Sequence, residues 1–122
     1  MHDEVYEAGA AIRRQVLGAE RADRPPSAFA APFREYVVRN AWGSVWARPG
    51  LDLRTRSCIT VAILTALRCE EELAMHVEAA LRNGVSPEEL AEVLLHATVY
   101  AGAPAGNAAF AIAERVIEQP DI

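Results

Sequence analysis

The sequence predicts an all-α protein, a compact bundle of about six helices forming a single domain over residues 1–122. Three observations predict it. Apolar residues recur at three- and four-residue spacing, as in Val5, Ala8, Ile12 and Val16, the period of a helix with one buried face. Helix start and stop signals separate these stretches, most clearly Ser86-Pro87-Glu88-Glu89 and the glycines 18, 84 and 102. No strand pattern competes.

Taken in order, Asp3 caps a first helix that carries the Val5, Ala8, Ile12 and Val16 face and stops at Gly18. Residues 19–31, with Pro25-Pro26, read as a connecting loop. Pro32 opens a short helix with Phe33, Tyr36 and Val37 inward. The segment from Trp42 to Trp46 reads as an irregular turn ended by Pro49-Gly50. Asp52 precedes a helix over about 53–68. Its centre, Ile59 to Leu67, is apolar on all sides apart from Thr60 and Thr65, which predicts the central buried helix. Glu70, Glu71 and Glu72 suit the positive first turn of the next helix, which ends at Gly84. Ser86 as cap, Pro87 as first residue and Glu89 closing a capping box start the following one, which runs to Gly102. Pro104 opens the last helix, with Phe110, Ala113, Val116 and Ile117 apolar.

Composition removes several classes of function. At 122 residues one core buries roughly two-thirds of the unfolded surface, so neither a disulfide nor a structural metal is needed. No apolar run is long enough to span a membrane. Met1-His2-Asp3-Glu4 lacks the basic start and apolar block of a secretion signal, so the expectation is a soluble cytoplasmic protein with no membrane partner. A net charge of −5 argues against nucleic acid. All 12 basic residues are arginine. With no lysine amine, imine chemistry on pyridoxal phosphate or on the substrate itself is closed to this chain. The two cysteines, Cys58 and Cys69, form no motif by themselves.

Few residues invite a chemical reading, and each has a plain structural alternative. Glu72 and His76 lie four apart on one helix, where a carboxylate can orient an imidazole as a proton donor. The same spacing serves a surface pair, or half of a metal site whose third ligand the sequence does not place. Arg54 and Arg56 fall in the first turn of a helix, where the dipole disfavours cations. With Arg48 they form a receptor for carboxylates, or they pair with acidic residues of another subunit. Trp42 and Trp46 flank this segment as pocket wall, core or interface. Tyr100 and His96 share a helix face and line a cavity or are buried and satisfied.

As a set these residues are recognisable. Ala41-Trp42-Gly43, Val45-Trp46, Arg48-Pro49-Gly50-Leu51 and Arg54-Thr55-Arg56-Ser57 resemble the central signature of the 4-carboxymuconolactone decarboxylases. So do Glu72-Leu73 with His76, Arg82-Asn83-Gly84, Glu92 to Tyr100, and Gly102-x-Pro104-Ala105-x-Asn107, with Arg13-x-x-Val16-Leu17-Gly18 upstream. The resemblance covers about residues 5–117. It implies an alkylhydroperoxidase D-like fold assembled as a homo-oligomer, a hexamer or trimer. It also implies a cofactor-independent carboxy-lyase that turns a lactone dicarboxylate, 4-carboxymuconolactone, into 3-oxoadipate enol-lactone in protocatechuate catabolism, the β-ketoadipate pathway. The redox branch of the superfamily uses Cys-x-x-Cys-x-x-x-His where this chain has Cys69, Glu72 and His76. Without the second thiol a peroxidase cycle through an internal disulfide cannot run, unless Cys58 approaches Cys69. Two departures stand out: residues 22–32 are short and rich in Pro and Ala, and Gly106 replaces a more usual Ala.

The implied substrate carries its own electron sink, so neither cofactor nor metal is expected. The roles that follow are Arg48, Arg54 and Arg56 gripping carboxylates, Trp46 or Tyr100 offering the leaving carboxylate a drier wall, and His76, oriented by Glu72, stabilising the enolate or delivering the proton. The alternatives are a same-fold relative acting on another lactone or aromatic substrate, a thiol peroxidase, and a non-catalytic helical scaffold.

Overall fold

The computed structural model describes residues 2–119, and among these every regular element is helical. The chain divides into two compact units, the first ending at Asp52 and the second beginning at Leu53.

In the first unit α1 spans Glu4–Leu17. Asp3 caps it by accepting the Tyr6 amide at 3.0 Å. That bond and the Arg39 guanidinium hold the Asp3 carboxyl below the usual carboxylate range. Gly18 ends the helix at φ 88°, a left-handed value that costs glycine nothing. The buried residues of α1 are Gly9, Val16 and Leu17, whereas Val5 and Ala8 are exposed. The predicted face is therefore shifted towards Gly9, where small size matters more than hydrophobicity. A Cβ at Gly9 would lie 2.2 Å from the Val38 carbonyl oxygen and 2.6 Å from the Gly43 nitrogen.

The predicted loop over 19–31 contains a one-turn helix, α2, Ala19–Ala22. Its sequence, Ala-Glu-Arg-Ala, consists of strong helix formers, and Gly18 lets the chain restart directly after α1. Helix α3, Ala31–Val37, has Pro32 in its first turn as expected. Phe33 and Tyr36 do not point inward: they are 69% and 64% exposed in the single chain. Burial moves instead to Val38 and Trp42, because α3 runs without a break into a π-helical stretch, Val38–Trp46. This corrects the reading of Trp42–Trp46 as an irregular turn. The Ala47 amide reaches back five residues to the Trp42 carbonyl at 2.9 Å, and the Ser44 hydroxyl donates to the Arg39 carbonyl at 3.2 Å. The wider turn sets the Trp42 and Trp46 rings in a stack, centroids 4.9 Å apart.

In the second unit α4 spans Leu53–Ala66, α5 Glu70–Arg82, α6 Pro87–Ala101 and α7 Ala103–Glu118. Helix α4 packs on α5 and α6, but it is not buried all round. Its inner stripe is Ser57, Val61 and Thr65, while Ile59 and Ile63 face outward, as does Leu67 just past its end, at 66% exposure. The expectation failed because hydrophobicity on every side cannot say which side meets a neighbour within one chain. The small polar residues go inside because they find partners: Thr65 donates to the Val61 carbonyl at 2.8 Å and Ser57 accepts from Asn83 at 2.9 Å. The remaining signals hold. Ser86 accepts the Glu89 amide at 3.1 Å and Glu89 accepts the Ser86 amide at 2.9 Å, closing the capping box of α6. Leu73, Val77, Leu90, Leu94, Ala109 and Ile112 pack with Val61 into the core. Complete burial of one such Leu contributes about 1.5–3 kcal/mol.

Candidate active site

The start of α4 is held at two points. The Arg54 guanidinium is paired with Glu89 at the head of α6. Ser57, one turn later and fully buried, accepts a hydrogen bond from Asn83 at the end of α5. Where one of the two readings paired Arg54 with an acid of another subunit, the acid belongs to its own chain. Glu89 neutralises a cation that the helix dipole disfavours at that position. Arg56, two residues further along α4, is half-buried, and its carbonyl accepts the Thr60 hydroxyl at 2.9 Å.

His76 projects from the inner side of α5, among the buried residues Leu73, Val77 and Ala80, and is only 9% exposed. Glu72, one turn earlier, is exposed. The two residues share a helix, but the imidazole points inward while the carboxylate meets solvent. An imidazole with little contact to water is well placed to move a proton without exchanging it with bulk solvent.

Of the other nominated residues, Tyr100 lies on the outer side of α6, 82% exposed, its ring 5.7 Å from that of His96. Trp46 and Arg48 belong to the first unit; Trp46 is half-buried against Trp42, and Arg48 is exposed. The groove of about 520 Å³ between α6 and α7 has walls of Leu90, Leu94, Phe110 and Ile117 and includes none of the nominated residues.

Cys58 and Cys69 are both free thiols, half-buried. Cys69 occupies the cap position of α5, and Glu72 stands where a vicinal thiol pair would place its second sulfur. Among the described residues no three His, Cys, Asp or Glu side chains converge as a metal site would require. Sequence reasoning missed Asn83 and Glu89 as the anchors of the arginine-bearing turn. The capping motif exposed the local role of Glu89, but its second oxygen depends on how α4 packs against α6.

The fold and these residues define a class: an all-helical protein with a buried histidine, an arginine-charged helix start and no paired thiols. The chain belongs to the carboxymuconolactone decarboxylase family, whose model matches residues 31–115. It is 45% identical to a 4-carboxymuconolactone decarboxylase of Acinetobacter baylyi, over 97% of this chain and 91% of the relative. It is 35% identical to a nitrosuccinic acid decarboxylase of Metarhizium robertsii, over 96% of this chain and 84% of the relative. An uncharacterized 15.0 kDa protein of Paracoccus denitrificans is 33% identical over 66% of this chain and 61% of its own length.

Proposed function

We propose that this protein decarboxylates 4-carboxymuconolactone to 3-oxoadipate enol-lactone, as a cytoplasmic homo-oligomer. The observation that carries the reading is 45% identity along 97% of the chain to a decarboxylase of that name. The chemistry agrees with the residues present. The leaving carboxylate sits on the ring carbon γ to the lactone carbonyl. As its bond to that carbon breaks, the electron pair becomes a ring double bond. The original double bond shifts towards the carbonyl, and the negative charge settles on the carbonyl oxygen. A proton delivered to the α carbon completes the enol-lactone. No lysine is needed, and the chain has none.

In this reading Arg48, Arg54 and Arg56 supply the grip on the carboxylates, with at least one fixing the acetate arm. Arg54 already holds Glu89 through one nitrogen, so it reaches substrate with the remaining donors of its planar fork. A strong ion pair on the departing carboxylate would stabilise the ground state, so that group faces Trp46, or Tyr100 where a second copy covers it. His76 delivers the proton or stabilises the enolate, with Glu72 one turn away tuning it.

A second reading is favoured by the 35% identical relative. Nitrosuccinic acid and the lactone are both succinates carrying an electron-withdrawing group on the carbon beside one carboxyl. In each, charge left by departing CO2 flows from that carbon onto an oxygen of the substrate itself. Release of CO2 from both acids, measured side by side with purified protein, tests the assignment. Turnover of the lactone is expected, with His76→Ala slower by about 10²–10⁴-fold and Glu72→Gln slower by less. Wild-type rates in both folded variants would remove the pair from the mechanism, and turnover of nitrosuccinate alone would replace the substrate.

A further inference from the structure

The first unit carries a cavity of about 360 Å³ bordered by α1, α2 and α3, with Tyr6, Arg13, Arg14, Asp23, Arg34 and Glu35 among its walls. The size is at the lower end of the range for small-molecule sites. Its charges are unevenly matched. Asp23 is taken by Arg14, which donates to both carboxylate oxygens at 3.2 Å. Glu35 is shared between Arg39 at 3.6 Å and His2 at 3.7 Å. Arg13 and Arg34 hold main-chain oxygens instead: Arg13 donates to the Ala22 carbonyl at 3.2 Å and Arg34 to the Arg24 carbonyl at 3.1 Å. Burial first, and then repulsion from Arg34, push the Arg13 guanidinium below its ordinary value.

Two guanidinium groups lining one cavity repel each other. Acidic side chains are abundant in this sequence, yet the two that line the cavity are paired with Arg14, Arg39 and His2. A guanidinium fork matches the oxygens of a carboxylate or phosphate in pairs, and an anion between two forks removes their repulsion. Tyr6, Ala10 and Val38 supply apolar wall for a short carbon body. We propose that this cavity is a binding site for a small oxyanion, a carboxylate or a phosphate, held between Arg13 and Arg34. The site involves none of the residues assigned to decarboxylation and stands independently of that assignment.

The test uses the whole protein in buffer free of phosphate and carboxylates. Inorganic phosphate and succinate are titrated separately by calorimetry and by thermal denaturation. Saturable binding and a rise in Tm are expected, and the tighter of the two anions identifies the natural class. Arg34→Gln should weaken binding about tenfold or more, and without anion its Tm should stay close to that of wild type, because relief of the repulsion on Arg13 offsets the lost bond to the Arg24 carbonyl. Arg13→Lys, which keeps the charge but loses the fork, should bind with intermediate affinity. Equal binding by wild type and Arg34→Gln would overturn the proposal. So would the absence of saturable binding by both anions, which would leave the two arginines to an acidic side chain of a second copy.

Discussion

At position 89 one carboxylate serves two helices. Its Oε1 accepts the Ser86 amide at 2.9 Å and its Oε2 takes the Arg54 guanidinium. The first bond satisfies an orphan amide at the start of α6, and the second places a negative charge beside an arginine in the positive first turn of α4. The two contributions separate by substitution. Glu89→Gln keeps an oxygen for Ser86 and loses the charge, at a cost below about 1 kcal/mol for a half-exposed pair. Glu89→Ala loses both and is expected to cost about 1–2 kcal/mol in urea unfolding. Equal losses would mean that the ion pair, not the cap, dominates. The same scale shows what sequence can and cannot disclose. Four-residue spacing put Glu72 and His76 on one helix, but nothing in that spacing said that one would be exposed and the other buried. That difference is set by where α5 meets its neighbours.

At the scale of elements, most boundaries were legible because they are local. Asp3, Gly18, Ser86 to Glu89 and Gly102 act on amides and carbonyls within a few residues, so the signal and its effect lie together in sequence. The π-helical stretch was not legible, since its cause is tertiary: α1 lies so close that Gly43 has no room for a Cβ, which would sit 2.4 Å from the Val5 carbonyl oxygen. Nor was the outward face of α4, because an apolar surface reads alike whether it meets the core or another molecule. Gly106 is a further case. A Cβ there would meet the Thr98 hydroxyl oxygen at 2.2 Å, and that hydroxyl is bonded to the Leu94 carbonyl at 2.7 Å. Thr98 thus occupies the space that an alanine methyl would need between α6 and α7. Gly106→Ala alone should destabilise by about 1–3 kcal/mol through overpacking. Adding Thr98→Ala should return most of that loss, and strict additivity of the two in a double-mutant cycle would contradict the contact.

For the whole molecule, the outward residues of the second unit include several large apolar side chains. Ile59 and Ile63 lie on α4 with Leu67 just past its end, and Leu95, Val99 and Tyr100 lie on α6, all exposed in one chain. Apolar surface on this scale in a protein of 122 residues needs a cover, and the proposed homo-oligomer supplies one. Light scattering after size exclusion should give a multiple of 13.3 kDa, and Ile63→Asp should lower it by placing a charge in the contact. A wild-type mass of one chain would exclude the assembly. The stacked tryptophans have a consequence of another kind. Both indoles of the chain, Trp42 and Trp46, lie before the division at Asp52, and none follows it. Emission excited at the red edge of protein absorbance therefore reports on the first unit alone, whereas far-ultraviolet dichroism follows helices of both. One denaturation experiment watched through the two signals measures, without any label, whether the halves of this chain melt as one cooperative body or in succession.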